Sequence, residues 1–249
     1  MNEANDGLPF QAIAPGATHP DDFAVRNRAG TYWYHPHPLG ATAPQVYGGL
    51  ASFLLVEDED ELRPRKALDL ELGKTDLPLL LQDRRFDQSG NLTYDPTDAE
   101  RFMGIMGDTI LVNLTVKPLL EVAPRIYRFR LLNGSNARIY RLAFMRGAAK
   151  VGFQIIGVDG GLLAQPAPAT ELFLGPAERA DVLLDLSGSP QGDDLYLKSL
   201  AFDPMDNEQM GNQRLLVTRG GRRGRRRSRC WGYVRGKHPD LPIIALTNH

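Results

Sequence analysis

Apolar and polar positions alternate along this chain with a period of two in many short runs, and no long stretch keeps a helical period. Phe23-Ala24-Val25, Thr31–Tyr34 and Leu50–Val56 are strand-like, the last an almost continuous apolar run that suits a strand buried on both faces. Leu79–Leu81, Thr109–Val112, Arg125–Leu132, Gly152–Val158, Glu171–Leu174, Ala180–Leu186 and Leu195–Leu200 continue the series. Within Arg125–Leu132, Tyr127, Phe129 and Leu131 share one face and Arg128 and Arg130 the other. Asn133-Gly134-Ser135-Asn136 reads as a hairpin turn into a strand whose apolar face is Tyr140, Leu142 and Phe144. With turn residues recurring at intervals of roughly 10 residues, the pattern predicts an all-β chain of antiparallel sandwich or barrel type.

Two breaks divide it. The acidic run Glu57-Asp58-Glu59-Asp60-Glu61 ends the Leu50–Val56 strand and reads as a solvated boundary, so 1–58 and 76–217 are expected as separate domains joined by a linker over 59–75. Near Thr218 the apolar pattern stops, and 218–249 reads as a disordered basic tail or as out-of-frame sequence. Charge makes the second break sharper. Residues 219–249 hold eight Arg, one Lys and a single acid, Asp240, a net +8. The other 218 residues hold 20 bases and 29 acids, a net -9. Arg-Gly runs can contact phosphates, but with only Trp231 and Tyr233 available for stacking the tail is not expected to bind nucleic acid.

Composition excludes several classes. Hydrophobic residues at 42% and charged residues at 24% suit a globular protein, and no apolar run approaches the roughly 18 residues of a membrane span. The polar start Met1-Asn2-Glu3-Ala4-Asn5-Asp6-Gly7 carries no signal peptide. The single cysteine, Cys230, rules out an internal disulfide framework and a Cys-rich zinc site.

The chemistry-bearing stretch is Gly30-Thr31-Tyr32-Trp33-Tyr34-His35-Pro36-His37-Pro38-Leu39-Gly40. In extended chain Thr31, Trp33, His35 and His37 fall on one face, and two imidazoles there make half of a metal site. The plainer reading is two structural histidines at a strand end. His19 lies in a Pro/Asp-rich loop, His238 and His249 lie in the tail, and none of these three is expected to be a ligand.

Residues 30–40, followed by Gln45-Val46-Tyr47-Gly48-Gly49-Leu50-Ala51, resemble the second copper motif of multicopper oxidases of the laccase-like type: bacterial cuprous oxidases, spore-coat laccases and bilirubin oxidases. Leu79–Phe86, Met106–Asn113, Tyr127–Asn136, Asp159-Gly160-Gly161 and Pro176–Asp181 agree with that family in the same order. The resemblance implies cupredoxin-like Greek-key β-sandwiches. Residues 1–58 would be the later part of a first domain and 76–217 a second, structural domain. It implies copper as cofactor, with His35 and His37 as ligands of the type 3 pair, and one-electron oxidation of phenols, aromatic amines or metal ions coupled to reduction of O2 to water. It also implies a periplasmic or extracellular location.

The family's cluster uses eight histidines in four pairs, and one pair is here. The chain is therefore expected to be truncated at both ends, inactive alone, and without type 1 or type 2 ligands unless another chain completes it. Cys230 has no flanking histidine and is not given the type 1 role. The half-sandwich over 1–58 is expected to leave Leu50–Val56 with an open face. Leu114 stands where relatives often have a turn glycine, and a strained backbone is expected there. A copper-free cupredoxin scaffold acting through protein contacts is the alternative.

Overall fold

The computed structural model describes residues 12–20, 22–190 and 192–202, together with the backbone of 205–209, 212–215 and 241–247. Gly30–Tyr34 (β1) and Ser52–Val56 (β2) form an antiparallel pair with Thr42–Gly48 (α1) between them, and Glu59–Ala67 (α2) follows. Next come Asp76–Phe86 (β3), Leu92–Thr93 (β4), Asp98–Met103 (α3), Thr109–Val112 (β5), Thr115–Val116 (β6), Leu119–Glu121 (β7) and Ile126–Asn133 (β8). Tyr140–Arg146 (β9), Ala149–Val151 (β10), Phe153–Val158 (β11), Gly161–Ala169 (β12), Leu172–Leu174 (β13), Arg179–Asp185 (β14) and Asp194–Ser199 (β15) continue the chain. Met205–Gln209 (β16), Asn212–Leu215 (β17) and Leu241–Thr247 (β18) complete the described elements.

Two sheets make the main body. One runs β12-β11-β14-β8-β3-β5-β6 with β4 added to β3; the other runs β10-β9-β15-β18-β7 with β13 added to β9. Most pairings are antiparallel, while β3 with β8 and β18 with β7 are parallel. The two-residue period explains the core directly. Tyr127, Phe129 and Leu131 of β8 and Val182 and Leu184 of β14 point into one buried cluster, which Tyr140, Leu142, Phe144, Leu195 and Leu197 meet from the other sheet. Phe144 links the two, with ring centroids 5.5 Å from Phe129 and 5.6 Å from Phe153. This is the expected all-β sandwich.

The other face of β8 carries Arg128 and Arg130, and it is not solvent-facing. Both side chains are fully buried, covered by β1 and α2. A period of two places these arginines on one face, and that face is a second, charged interior. The acidic run that reads as a solvated boundary contributes to it. Residues 59–67 are helical, Asp58 caps them by accepting from the Glu61 amide at 3.0 Å, and Glu61 is fully buried. The linker expected over 59–75 is thus in part a helix packed on the sheet.

Other expectations are corrected. Phe23-Ala24-Val25 forms no strand and is exposed. Asn133–Asn136 is not a hairpin turn, because β8 and β9 lie in different sheets and the segment crosses between them. Leu50–Val56 is not buried on both faces: Leu50 and Leu54 are exposed and the rest of β2 is half-buried, since among the described residues β2 pairs only with β1. Of the basic segment 218–249, residues 218–240 and 248–249 lie outside the described residues, but 241–247 are not a loose tail. They form β18, antiparallel to β15 and parallel to β7, inside the second sheet.

Candidate metal centre

Aromatic and β-branched residues make Gly30–Tyr34 a natural strand. Pro36 and Pro38 cannot donate to a ladder, so the pairing with β2 ends at Tyr34 and the histidines emerge just past the strand. The chain then turns through Gly40, at φ +72°, into α1, with the Ala41 amide and the Thr42 hydroxyl both donating to the Pro38 carbonyl at 3.1 Å. The histidine segment is thus a short span between a strand and a helix.

The two imidazole rings lie together, centroids 5.8 Å apart and tilted by 40°. Trp33 stacks on His35 at 4.3 Å, which fixes the ring plane of the first histidine. His35 Nδ1 lies 3.0 Å from the Pro36 carbonyl, which can only accept, so Nδ1 is the protonated nitrogen. In the neutral ring this tautomer leaves the lone pair on Nε2, the arrangement in which imidazole binds a transition metal. His35 is half-buried and His37 exposed. Among the described residues no group of three or more His, Cys, Asp or Glu could hold a metal. The donor set therefore fits copper by chemistry and is incomplete by count. His19 is exposed, whereas Cys230, His238 and His249 lie outside the described residues.

Both ends of the span are fastened to the main body. At the β1 end, the buried Thr31 hydroxyl donates to Asp181 Oδ1 at 2.6 Å and accepts from Arg130 Nη1 at 3.2 Å. Arg130 also donates to both oxygens of Asp76, at 2.7 and 2.6 Å, and to Glu61 Oε1 at 2.5 Å. Arg128 donates to Glu61 Oε1 and to Asp181 Oδ2, each at 2.5 Å. Burial works against the Arg130 charge, but the Asp76 hydrogen bonds and the nearby Asp181 and Glu61 outweigh it and raise its pKa above the ordinary range.

At the α1 end, Gln82 Nε2 donates to the Val46 carbonyl at 3.1 Å, Arg84 donates to Gln82 Oε1 at 3.0 Å, and Asn136 donates to the Ala43 carbonyl at 2.9 Å. The Arg84 guanidinium lies so close under Gly49 that a Cβ there would sit 2.8 Å from Nη2, and Gly49 also needs its φ of +109° to end the helix. Burial pushes the Arg84 pKa down and the Tyr47 hydroxyl up. The Tyr47 hydroxyl accepts the Arg85 amide at 2.6 Å.

Sequence alone places His35, His37 and Trp33 on one strand end. It misses every supporting group, because Glu61, Asp76, Gln82, Arg84 and Asp181 come from distant strands and from a helix. The nearest signal was the shared face of Arg128 and Arg130.

A family model described as multicopper oxidase matches residues 1–61. The chain is 40% identical over 187 residues to a multicopper oxidase of Staphylococcus haemolyticus, covering 75% of this chain and 40% of that protein. It is 42% identical over 181 residues to the cell division protein FtsP of Xenorhabdus nematophila, covering 73% of this chain and 37% of that one. The crystal structure of the McoA multicopper oxidase from Aquifex aeolicus superposes with a TM-score of 0.79 at 40% identity, over 98% of this chain and 47% of that one. The chain thus spans less than half the length of these relatives. Family model, sequence and fold agree in what they resemble: the chain is similar to multicopper oxidases over less than half of their length.

Proposed function

We propose that this chain is the part of a multicopper oxidase that contributes one histidine pair, His35 and His37, to a type 3 copper site. The whole protein would couple one-electron oxidation of phenols, aromatic amines or metal ions to reduction of O2 to water. One observation carries the reading: the two imidazoles lie together just beyond β1, with His35 Nδ1 engaged by the Pro36 carbonyl and its ring held by Trp33.

Bound copper supplies the one-electron chemistry; the work of this chain is to hold and orient. His35 and His37 would be the ligands, and Trp33 and the Pro36 carbonyl set the plane and tautomer of His35. The sandwich of β3 to β15 contributes position alone. Two imidazoles fall short of the usual three or four ligands, so the remaining donors come from residues outside this sequence or from another chain. Likeness to multicopper oxidases supports a periplasmic or extracellular site of action, and no described helix is long and apolar enough to cross a membrane. Copper titration with oxygen uptake on a phenolic substrate tests the proposal. It predicts weak copper binding by this chain without turnover; failure of the chain to bind copper at all refutes it.

A second reading rests on the similarity to proteins named cell division protein FtsP. It makes the chain a copper-free scaffold working through protein contacts, and it predicts no copper binding in the same titration.

A further inference from the structure

We infer that the buried charge cluster of Glu61, Asp76, Asp181, Arg128 and Arg130 is the device that sets the position of the histidine pair, with Thr31 as the positioning residue that transmits it. The inference builds on the proposal that His35 and His37 hold copper.

Thr31 has the right connections. Its hydroxyl is the one group of β1 that enters the cluster, donating to Asp181 Oδ1 at 2.6 Å and accepting from Arg130 Nη1 at 3.2 Å. The carbonyl of the same residue accepts from Arg179 Nε at 2.9 Å, so Thr31 is tied to β14 by side chain and backbone together. Trp33, two residues on, carries the ring that stacks on His35. A shift of Thr31 therefore passes along one stiff strand to the imidazole.

Elsewhere β1 and β2 touch the main body through less directional contacts, Gly30 packed on Gly161 and the Tyr32 ring 5.9 Å from the Arg179 guanidinium. The sheet they form has two strands, Tyr34 and Leu54 are exposed, and neither strand joins the ladders of the main body. Apolar contact is non-directional and would let the pair slide. A hydroxyl held between a carboxylate and a guanidinium has one geometry.

The cluster resists displacement as well. Its five side chains are at most 2% exposed, and Asp76 and Asp181 come from strands on either side of β8 in a fixed register, Asp76 opposite Arg128 and Asp181 opposite Arg130. Each guanidinium is locked by carboxylates on two elements, Asp76 and Asp181 on the sheet and Glu61 on α2. On the far side of the histidines, Gln82 and Arg84 hold α1. The segment is gripped at both ends by a domain, residues 76–217, whose sequence contains no His or Cys.

The full-length chain should be compared with Thr31→Val, which keeps the shape and removes the hydroxyl, and with Thr31→Ser, which restores it. Two quantities are read: hydrogen exchange in peptides covering residues 31–37, 127–133 and 180–186, and Cu(II) affinity with the electron paramagnetic resonance spectrum. Losing the two charge-assisted hydrogen bonds of the hydroxyl should speed exchange over 31–37 and weaken Cu(II) binding, each on the order of tenfold. The copper hyperfine pattern should broaden, exchange in the other two peptides should stay as in the parent, and Thr31→Ser should recover both quantities. Unchanged exchange over 31–37 overturns the inference, as does an equal rise in all three peptides, which would mark Thr31 as a general packing residue. If the parent chain binds no copper, the ligand proposal fails, and the exchange data alone still decide whether Thr31 positions the strand.

Discussion

Replacing Arg130 by Met keeps most of the volume and deletes the charge at the centre of the buried cluster. The wild-type guanidinium donates twice to Asp76, once to Glu61 and once to Thr31. In Arg130→Met, Asp76 has Arg128 and Arg65 near it only at 3.7 Å, beyond hydrogen-bond length, and three buried carboxylates are left facing Arg128. Breaking one partner of a buried ion pair costs about 3–5 kcal/mol, because the stranded charge cannot regain water. A cost of about 4 kcal/mol is a large part of the roughly 5–15 kcal/mol of a typical domain. With a urea slope of about 2–3 kcal/mol/M, it lowers the midpoint by roughly 1.3–2 M. The pair should also be strongly coupled: adding Asp76→Leu to Arg130→Met removes the stranded carboxylate and should recover part of the loss. Urea unfolding followed by far-UV circular dichroism and tryptophan fluorescence reads both. A loss below about 1 kcal/mol for Arg130→Met, or a double variant as unstable as the sum of the singles, would refute the claim that these charges depend on one another.

The β5–β6 hairpin turns on Asn113 and Leu114 at φ +47° and +65°, a geometry that favours Asn-Gly, and Leu114 is exposed. Leu114→Gly should therefore stabilise by about 1 kcal/mol and raise Tm by roughly 2–4 °C in a thermal melt; a lower Tm would refute the strain. The Arg85 hydrogen bond holds the Glu100 carboxyl at about 2, against an ordinary value of 4.5, with help from Thr97. Because the folded pKa is depressed, this contribution is present above about pH 4.5 and is lost as pH falls toward 2. Glu100→Gln should cost on the order of 1 kcal/mol at pH 7 and progressively less in melts between pH 4.5 and pH 2, whereas a gap independent of pH would count against the assignment.

How far the sequence could be read depended on the range of the interactions involved. The β8 core face is written in consecutive alternate residues, so Tyr127, Phe129 and Leu131 could be placed without a structure. The partners of Arg128 and Arg130 could not, because Glu61, Asp181 and Asp76 lie 67, 53 and 54 residues from the arginines that bind them. A fully buried arginine and a surface arginine look the same in a one-face pattern. Helices α1 and α2 are 7 and 9 residues long, and α2 has Pro64 within it, too short and too interrupted to show a helical period. The strain at Leu114 was legible because a non-glycine residue occupied a turn whose form demands φ above zero. Strand β18 was hidden by the arginine-rich run before it, since an apolar strand of seven residues carries little weight beside such a composition.

For the metal centre, the histidine pair and Trp33 were legible and their number was the limit. Two imidazoles at one strand end are a ligand half-set in any protein; what singles this pair out is its fastening at both ends to the sandwich, which only the fold reveals.

The most direct test of the central claim is the electron paramagnetic resonance spectrum of the full-length chain titrated with Cu(II), beside His35→Ala/His37→Ala. The account predicts a saturable signal with nitrogen superhyperfine structure from two imidazoles, abolished in the double variant while its circular dichroism is unchanged. A copper signal of the same affinity and nitrogen count in the double variant would contradict it.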